Sequence, residues 1–178
     1  MKINVHAGHN PDGKVACGAT GLIKESTEAR KVKAEVISQL RKAGHTVYDC
    51  TVDNGTSQND ILSKIVTKCN KHDVDLDISI HFNSGRNDKK GDGSTGGVEV
   101  YVYRDTSKAK KAAERICKSI AKLGFRNRGV KAYEWYILKH TNSPAMLIEC
   151  CFVDDKDDIK LYNAKTMAKA IVAGVTGK

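Results

Sequence analysis

Five residues in this 178-residue chain have the types that do hydrolytic chemistry: His9, Glu25, His81 and Glu149, with His6 beside the first. Two imidazoles and a carboxylate suit a catalytic zinc, which takes three protein ligands and leaves a fourth position for water. Hydrolysis at such a centre needs one further group, a carboxylate that takes a proton from water and passes it on. Taken singly, each residue has an ordinary alternative. A histidine at a strand end is most often structural, and a glutamate opening a helix is a favourable partner for the helix dipole. Glu149 is harder to dismiss, because it ends the apolar run Ala145-Met146-Leu147-Ile148, and a carboxylate at the edge of a buried strand needs a partner or a purpose.

These residues must be positioned by elements, and the hydrophobic periodicity gives them. Strands are expected over 2–6, 46–50, 76–81, 98–103, 133–138 and 145–149. Ala29, Val32, Val36, Ile37 and Leu40 recur at steps of three and four, so 25–43 reads as a helix ended by Gly44. Helices are also expected over 57–71, 106–123 and 167–175. The stretch 84–97 holds five glycines among charged residues and reads as a mobile loop. Strands alternating with helices imply an α/β fold. We expect a single catalytic domain over 1–178, with a mostly parallel twisted sheet of about six strands and helices on both faces. Ligands of such sheets bind at the carboxyl ends of the strands, where His6, His9, His81 and Glu149 fall. The start of the first helix, with Glu25, should abut the same edge.

Composition narrows the classes. The chain is 40% hydrophobic and 29% charged, as in a folded globular domain. No apolar run reaches the ~18 residues of a membrane span, and none follows the N-terminus as a signal peptide would require. The expectation is synthesis in the cytoplasm. The six cysteines (17, 50, 69, 117, 150 and 151) form no Cys-x-x-Cys pair and read as free thiols, Cys69 and Cys117 in the core. The net charge is +9, and residues 104–131 carry ten basic side chains against two acidic ones. A basic helix of this kind is either a solvated face or a surface for polyanions. Nucleic acid is not the expected partner, since no zinc-finger spacing or aromatic RNA-binding motif occurs. The patterns His-Glu-x-x-His, Gly-x-Ser-x-Gly and the P-loop are absent as well.

Read in order, Gly8-His9, Gly21-Leu22-Ile23-Lys24-Glu25, Ser79-Ile80-His81-Phe82-Asn83, Gly97-Val98-Glu99-Val100-Tyr101 and Pro144-Ala145-Met146-Leu147-Ile148-Glu149 resemble the zinc-dependent N-acetylmuramoyl-L-alanine amidases of the type-3 amidase family. Arg128-Gly129-Val130-Lys131 is similar to a basic stretch of that family, and the likeness runs over about residues 2–175. The resemblance implies zinc ligands at His9, Glu25 and His81, with Glu28 as the rival for the second. It implies a general base and acid at Glu149, and cleavage of peptidoglycan between N-acetylmuramic acid and L-alanine by a zinc-activated water. It implies an endolysin or autolysin that acts on the bacterial cell wall after release, with no nucleic-acid or membrane partner. The basic helix would hold anionic wall polymers. One departure stands out: His6 occupies a position where the family has an acidic residue, and is expected either to orient His9 or to compete as a ligand. The remaining alternatives are a zinc peptidase or amidohydrolase with another substrate, and a non-catalytic, basic wall-binding module.

Overall fold

A computed structural model describes residues 1–178. Six strands form one sheet: β1 (Lys2–Ala7), β2 (Thr46–Asp49), β3 (Leu76–Asn83), β4 (Val98–Val102), β5 (Asn127–Ala132) and β6 (Ala145–Phe152). Their order across the sheet is β2-β1-β3-β6-β4-β5. All neighbouring pairs are parallel except β4 with β6. The helices are α1 (Glu25–Lys42), α2 (Gln58–Cys69), α3 (Lys110–Ala121), α4 (Tyr136–His140), α5 (Lys156–Leu161) and α6 (Ala164–Thr176). The α/β architecture and the number of strands are those expected from the sequence.

The two faces of the sheet differ, and strict alternation along the strands is the cause. Ile3, Val5 and Ala7 of β1, Leu76, Ile78, Ile80 and Phe82 of β3, and Met146, Ile148 and Cys150 of β6 point one way. With α1, α3 and α6 they form the main core. The alternate residues point the other way and are largely polar: Asn4 and His6, then Asp77, Ser79 and His81, then Glu149. All are buried. On this second face α4 lies over β6 through Leu138, Ala145 and Leu147, and α2 packs around Cys50 and Ile137. A buried polar column of this kind is costly unless its members are partnered, and Asn4 Nδ2 accordingly donates to Asp77 Oδ1 at 2.7 Å.

The structure adds to or departs from the expected elements in three places. Residues 133–138, rich in aromatic and β-branched side chains, are not a strand; they lead into the short helix α4. The fifth strand is instead 127–132, a stretch to which the sequence pattern assigns no element. It is an edge strand paired only with β4, and edge strands tolerate charged, half-exposed side chains. Second, the 84–97 loop, expected to be too polar to pack, is tied to the rest of the fold by hydrogen bonds. Asp154 accepts hydrogen bonds from the backbone N–H of Gly85 at 2.9 Å and Asn87 at 2.8 Å. Asp157 accepts from Gly93, and Asp158 from Gly97. Polar pegs replace the apolar packing that the sequence lacks. Third, α5 was not anticipated; Asp155, its cap, accepts from the N–H groups of Asp157 and Asp158.

No helix is long and apolar enough to cross a membrane. All six cysteines are unpaired, and Cys69 and Cys117 are buried as expected.

Candidate metal centre and acid–base pair

His9, Glu25 and His81 converge. One ligand atom from each lies within 4.8 Å of the other two. Glu25 Oε1 stands 3.1 Å from His81 Nδ1 and 3.4 Å from His9 Nε2. Glu25 opens α1, where the helix dipole favours an anion. Its position is fixed by backbone donors, Phe82 N–H to Oε1 at 3.2 Å and Ala19 N–H to Oε2 at 2.8 Å. Burial alone would raise its pKa, but hydrogen bonds from His81 and His9 outweigh that and hold it ionised. Burial pushes the His81 pKa down, so its imidazole is neutral and able to bind metal. Glu28, the rival ligand, faces elsewhere: it pairs with Lys31 and accepts from the Tyr162 hydroxyl.

The backbone around the cluster is shaped for close approach. His9 adopts φ 62°, a left-handed conformation uncommon outside glycine and typical of functional sites. Arg30 braces it, donating from Nη2 to the His9 carbonyl at 2.9 Å. At Gly8 a β-carbon would fall 2.0 Å from His81 Cε1, and at Gly18 one would fall 2.6 Å from Glu25 Oε2. Glycine at both places gives the ligand side chains their room.

His6 lies behind His81 and not behind His9. Its Nδ1 is 3.4 Å from Ser79 Oγ, which in turn is 3.0 Å from His81 Nε2. The hydroxyl relays between the two rings and steadies His81, so His6 is no competitor for the ligand position. Burial, reinforced by the neighbouring His81, holds its pKa down to about 3.

Sheet register then lines up a row of functional groups. Glu149 of β6 sits directly opposite His81 of β3 on one side and Glu99 of β4 on the other. Residues paired across strands point to the same face. Because β4 runs antiparallel, Glu99 reaches this edge from the start of its strand. Glu149 is buried, and its Oε2 has no hydrogen-bond partner. Burial, then the charges of Glu25 and Glu99, push its pKa well up. Glu99 is the opposite case: burial raises it, but Arg128 and Lys131 overcome that and keep it ionised. Two carboxyl groups side by side thus have pKa values pushed in opposite directions by their surroundings.

A cavity of about 380 Å³ opens over His9, His81 and Glu149, walled by Leu62, Trp135 and Tyr136. The sequence reading anticipated the three donors and Glu149, and the fold brings all four to one edge. It missed Glu99, although Val98-Glu99-Val100 is a carboxylate in an apolar strand, the same signal that singled out Glu149. It also missed Arg30 and Ser79, for which sequence offers no signal, because their roles depend on tertiary placement.

A parallel-edge α/β fold with a His–Glu–His cluster able to hold a metal ion defines the class. Comparison narrows it. A family model described as N-acetylmuramoyl-L-alanine amidase (Amidase_3) matches residues 3–177, and the chain belongs to that family. It is 36% identical over 167 residues to an uncharacterized Clostridium perfringens protein, covering 93% of this chain and 48% of that one. It is 29% identical over 178 residues to an endolysin of Bacillus phage SPP1, covering 94% of this chain and 60% of the relative. The solved catalytic domain of the CD27L endolysin targeting Clostridia difficile superposes with a TM-score of 0.89 at 29% identity, over 100% of this chain and 98% of that one. The chain spans about half the length of the Clostridium perfringens relatives it matches.

Proposed function

We propose that this chain is a catalytic domain that hydrolyses the amide between N-acetylmuramic acid and L-alanine of peptidoglycan, with zinc held by His9, Glu25 and His81 and Glu149 as the proton carrier. The observation that carries the reading is the lateral pairing of Glu149 with His81, which puts a buried, unpartnered carboxyl beside the donor cluster. The donor set suits zinc: two imidazoles and one carboxylate is the set of a catalytic site with an open position. His9 Nδ1 is buried without a protein partner, so nothing in the chain competes to turn that ring away.

When bound, zinc supplies Lewis acidity, polarising the scissile carbonyl and making water acidic. The chain's residues do the rest. Glu25 and the two imidazoles fix the donor geometry, with Ser79 holding His81 in orientation. Cationic charge beside it would lower the Glu149 pKa, so that the carboxylate accepts a proton from the attacking water and returns it to the departing alanine nitrogen. Trp135, Tyr136 and Leu62 give the site an apolar wall. The protein would act on the wall after release from the cytoplasm, as the name of its phage relative fits.

The test is digestion of purified peptidoglycan with and without a chelator, reading new ends by mass spectrometry. Free stem peptides beginning with L-alanine, lost on chelation and restored by zinc, are expected. Cleavage at another bond, or cleavage insensitive to chelation, would overturn the reading.

A further inference from the structure

A second cavity, of about 450 Å³, adjoins the metal cleft and shares Asn83, Ser84, Trp135 and Glu149 with it. Its distinctive feature is a pair of cations, Arg128 and Lys131, on β5. Three residues apart in a regular strand, they would face opposite sides. Between Val98 and Val100 the β4–β5 register slips, so that Asn127 to Val130 spans one residue more than its partner. Gly129, at φ 83°, takes up the extra residue. The bulge turns Arg128 and Lys131 to the same side, and both bond the same oxygen of Glu99, Arg128 Nε at 2.8 Å.

The charges do not balance. Around Glu99 one carboxylate serves two cations, both through a single oxygen. The third cation, Arg86, is committed to the buried Asp155 at 2.9 Å and to Asp92. Donors are also left over. Arg128 Nη2 bonds no protein group, and Lys131 Nζ has Glu99 as its single acceptor. Arg128 is held over the Phe152 ring and Lys131 near that of Tyr101, so both heads are pre-positioned. The cavity therefore presents two cations that share one carboxylate and keep unfilled N–H groups, gathered at Glu99, the cross-strand neighbour of Glu149.

We propose that this cavity is a carboxylate subsite, in which Arg128 and Lys131 bind a free carboxylate of the peptide on the leaving-amine side. This rests on the amidase reading above. Facing residues of an antiparallel pair stand roughly 5 Å apart, and an extended peptide advances roughly 3.5 Å per residue. The carboxylate recognised is thus that of the residue following the alanine, which a carboxamide at the same position would not replace.

The test uses two matched soluble substrates, N-acetylmuramoyl-L-alanyl-D-isoglutamate and its isoglutamine counterpart, with the zinc-loaded protein. The wild type should favour the carboxylate in kcat/KM by about tenfold, mainly through KM, as expected for charge-assisted hydrogen bonds. Lys131→Met should bring the ratio towards one, and Lys131→Arg should keep it. Binding of both compounds to Glu149→Gln protein is measured in parallel. Preferential binding of the carboxylate without cleavage would sustain the subsite while the amidase reading fell. Equal binding, or a ratio unmoved by Lys131→Met, would overturn the subsite.

Discussion

At the scale of single residues, Glu149 and His6 are both buried in the form that costs least, and each gives a measurable consequence. Glu149 has an oxygen without a partner in a site that raises its pKa, so the metal-free fold is stabilised by anything that removes the need to hold a proton there. Glu149→Gln keeps the shape and cannot ionise. It should raise the stability of metal-free protein by about 1–2 kcal/mol and lower kcat by roughly 10²–10⁴, with zinc affinity retained. Denaturant melts and turnover on the same preparation check both; a variant that is less stable and still active would remove Glu149 from the role. Burial holds the His6 pKa down from its ordinary 6.5 to about 3 in the folded protein. Between those values the unfolded chain binds the extra proton, so this residue's contribution is full above pH 6.5 and is lost as the pH falls towards 3, at up to ~1.4 kcal/mol per pH unit. The stability gap between metal-free wild type and His6→Gln should therefore narrow on acidification. A gap that stays constant from pH 7 to pH 4 would mean that His6 protonation is not coupled to unfolding.

At the scale of elements, the site is a consequence of alternation and register. The run Asp77-Ile78-Ser79-Ile80-His81-Phe82-Asn83 states in sequence which residues share a face, and this made His81 legible as a strand-end polar group. Glu149 was legible for the same reason, and Glu25 as the opening of a periodic helix. What sequence could not supply was the lateral row His81–Glu149–Glu99, which exists only once β6 lies between β3 and an antiparallel β4. Nor could it supply β5, where the bulge at Gly129 breaks the period that strand recognition relies on. The turn after β1 is tightly packed, and Gly8→Ala probes it without replacing a ligand. Its new β-carbon would stand 2.0 Å from His81 Cε1, so the ring must swing away from Glu25. Zinc affinity should fall by about 10–100-fold, the range seen when a ligand loses its orienting partner, while far-ultraviolet circular dichroism stays native. Wild-type affinity in a competing-chelator titration would show that the ring position seen here does not set the site.

At the scale of the whole molecule, chemistry and charge lie on opposite sides of the sheet. The apolar side of α3 (Ala113, Ile116, Cys117, Ile120) packs in the main core on the face away from the metal cluster. Lys108, Lys111, Lys118 and Lys122 project outward, exposed, and none of them forms an ion pair, whereas Lys110 is paired with Asp105. A domain of this length has a radius of gyration of roughly 16 Å, and charges are screened within about 8 Å at physiological salt. The basic face is too remote to pull a small substrate into the cleft, but it can hold the molecule on an extended anionic surface while the opposite side works. Reversing Lys111, Lys118 and Lys122 to Glu should then release the protein from cell walls in low salt. The difference from wild type should vanish by about 0.3 M salt, or on walls stripped of their anionic polymers. Turnover of a soluble muramoyl peptide should change by less than about twofold, since surface charges beyond a screening length contribute little. Co-sedimentation with walls and a soluble-substrate assay, run on the same variant, separate the two effects. Equal loss in both would mean that α3 supports the catalytic side of the sheet through the core, and that its charge is a solvated surface without a wall-binding role.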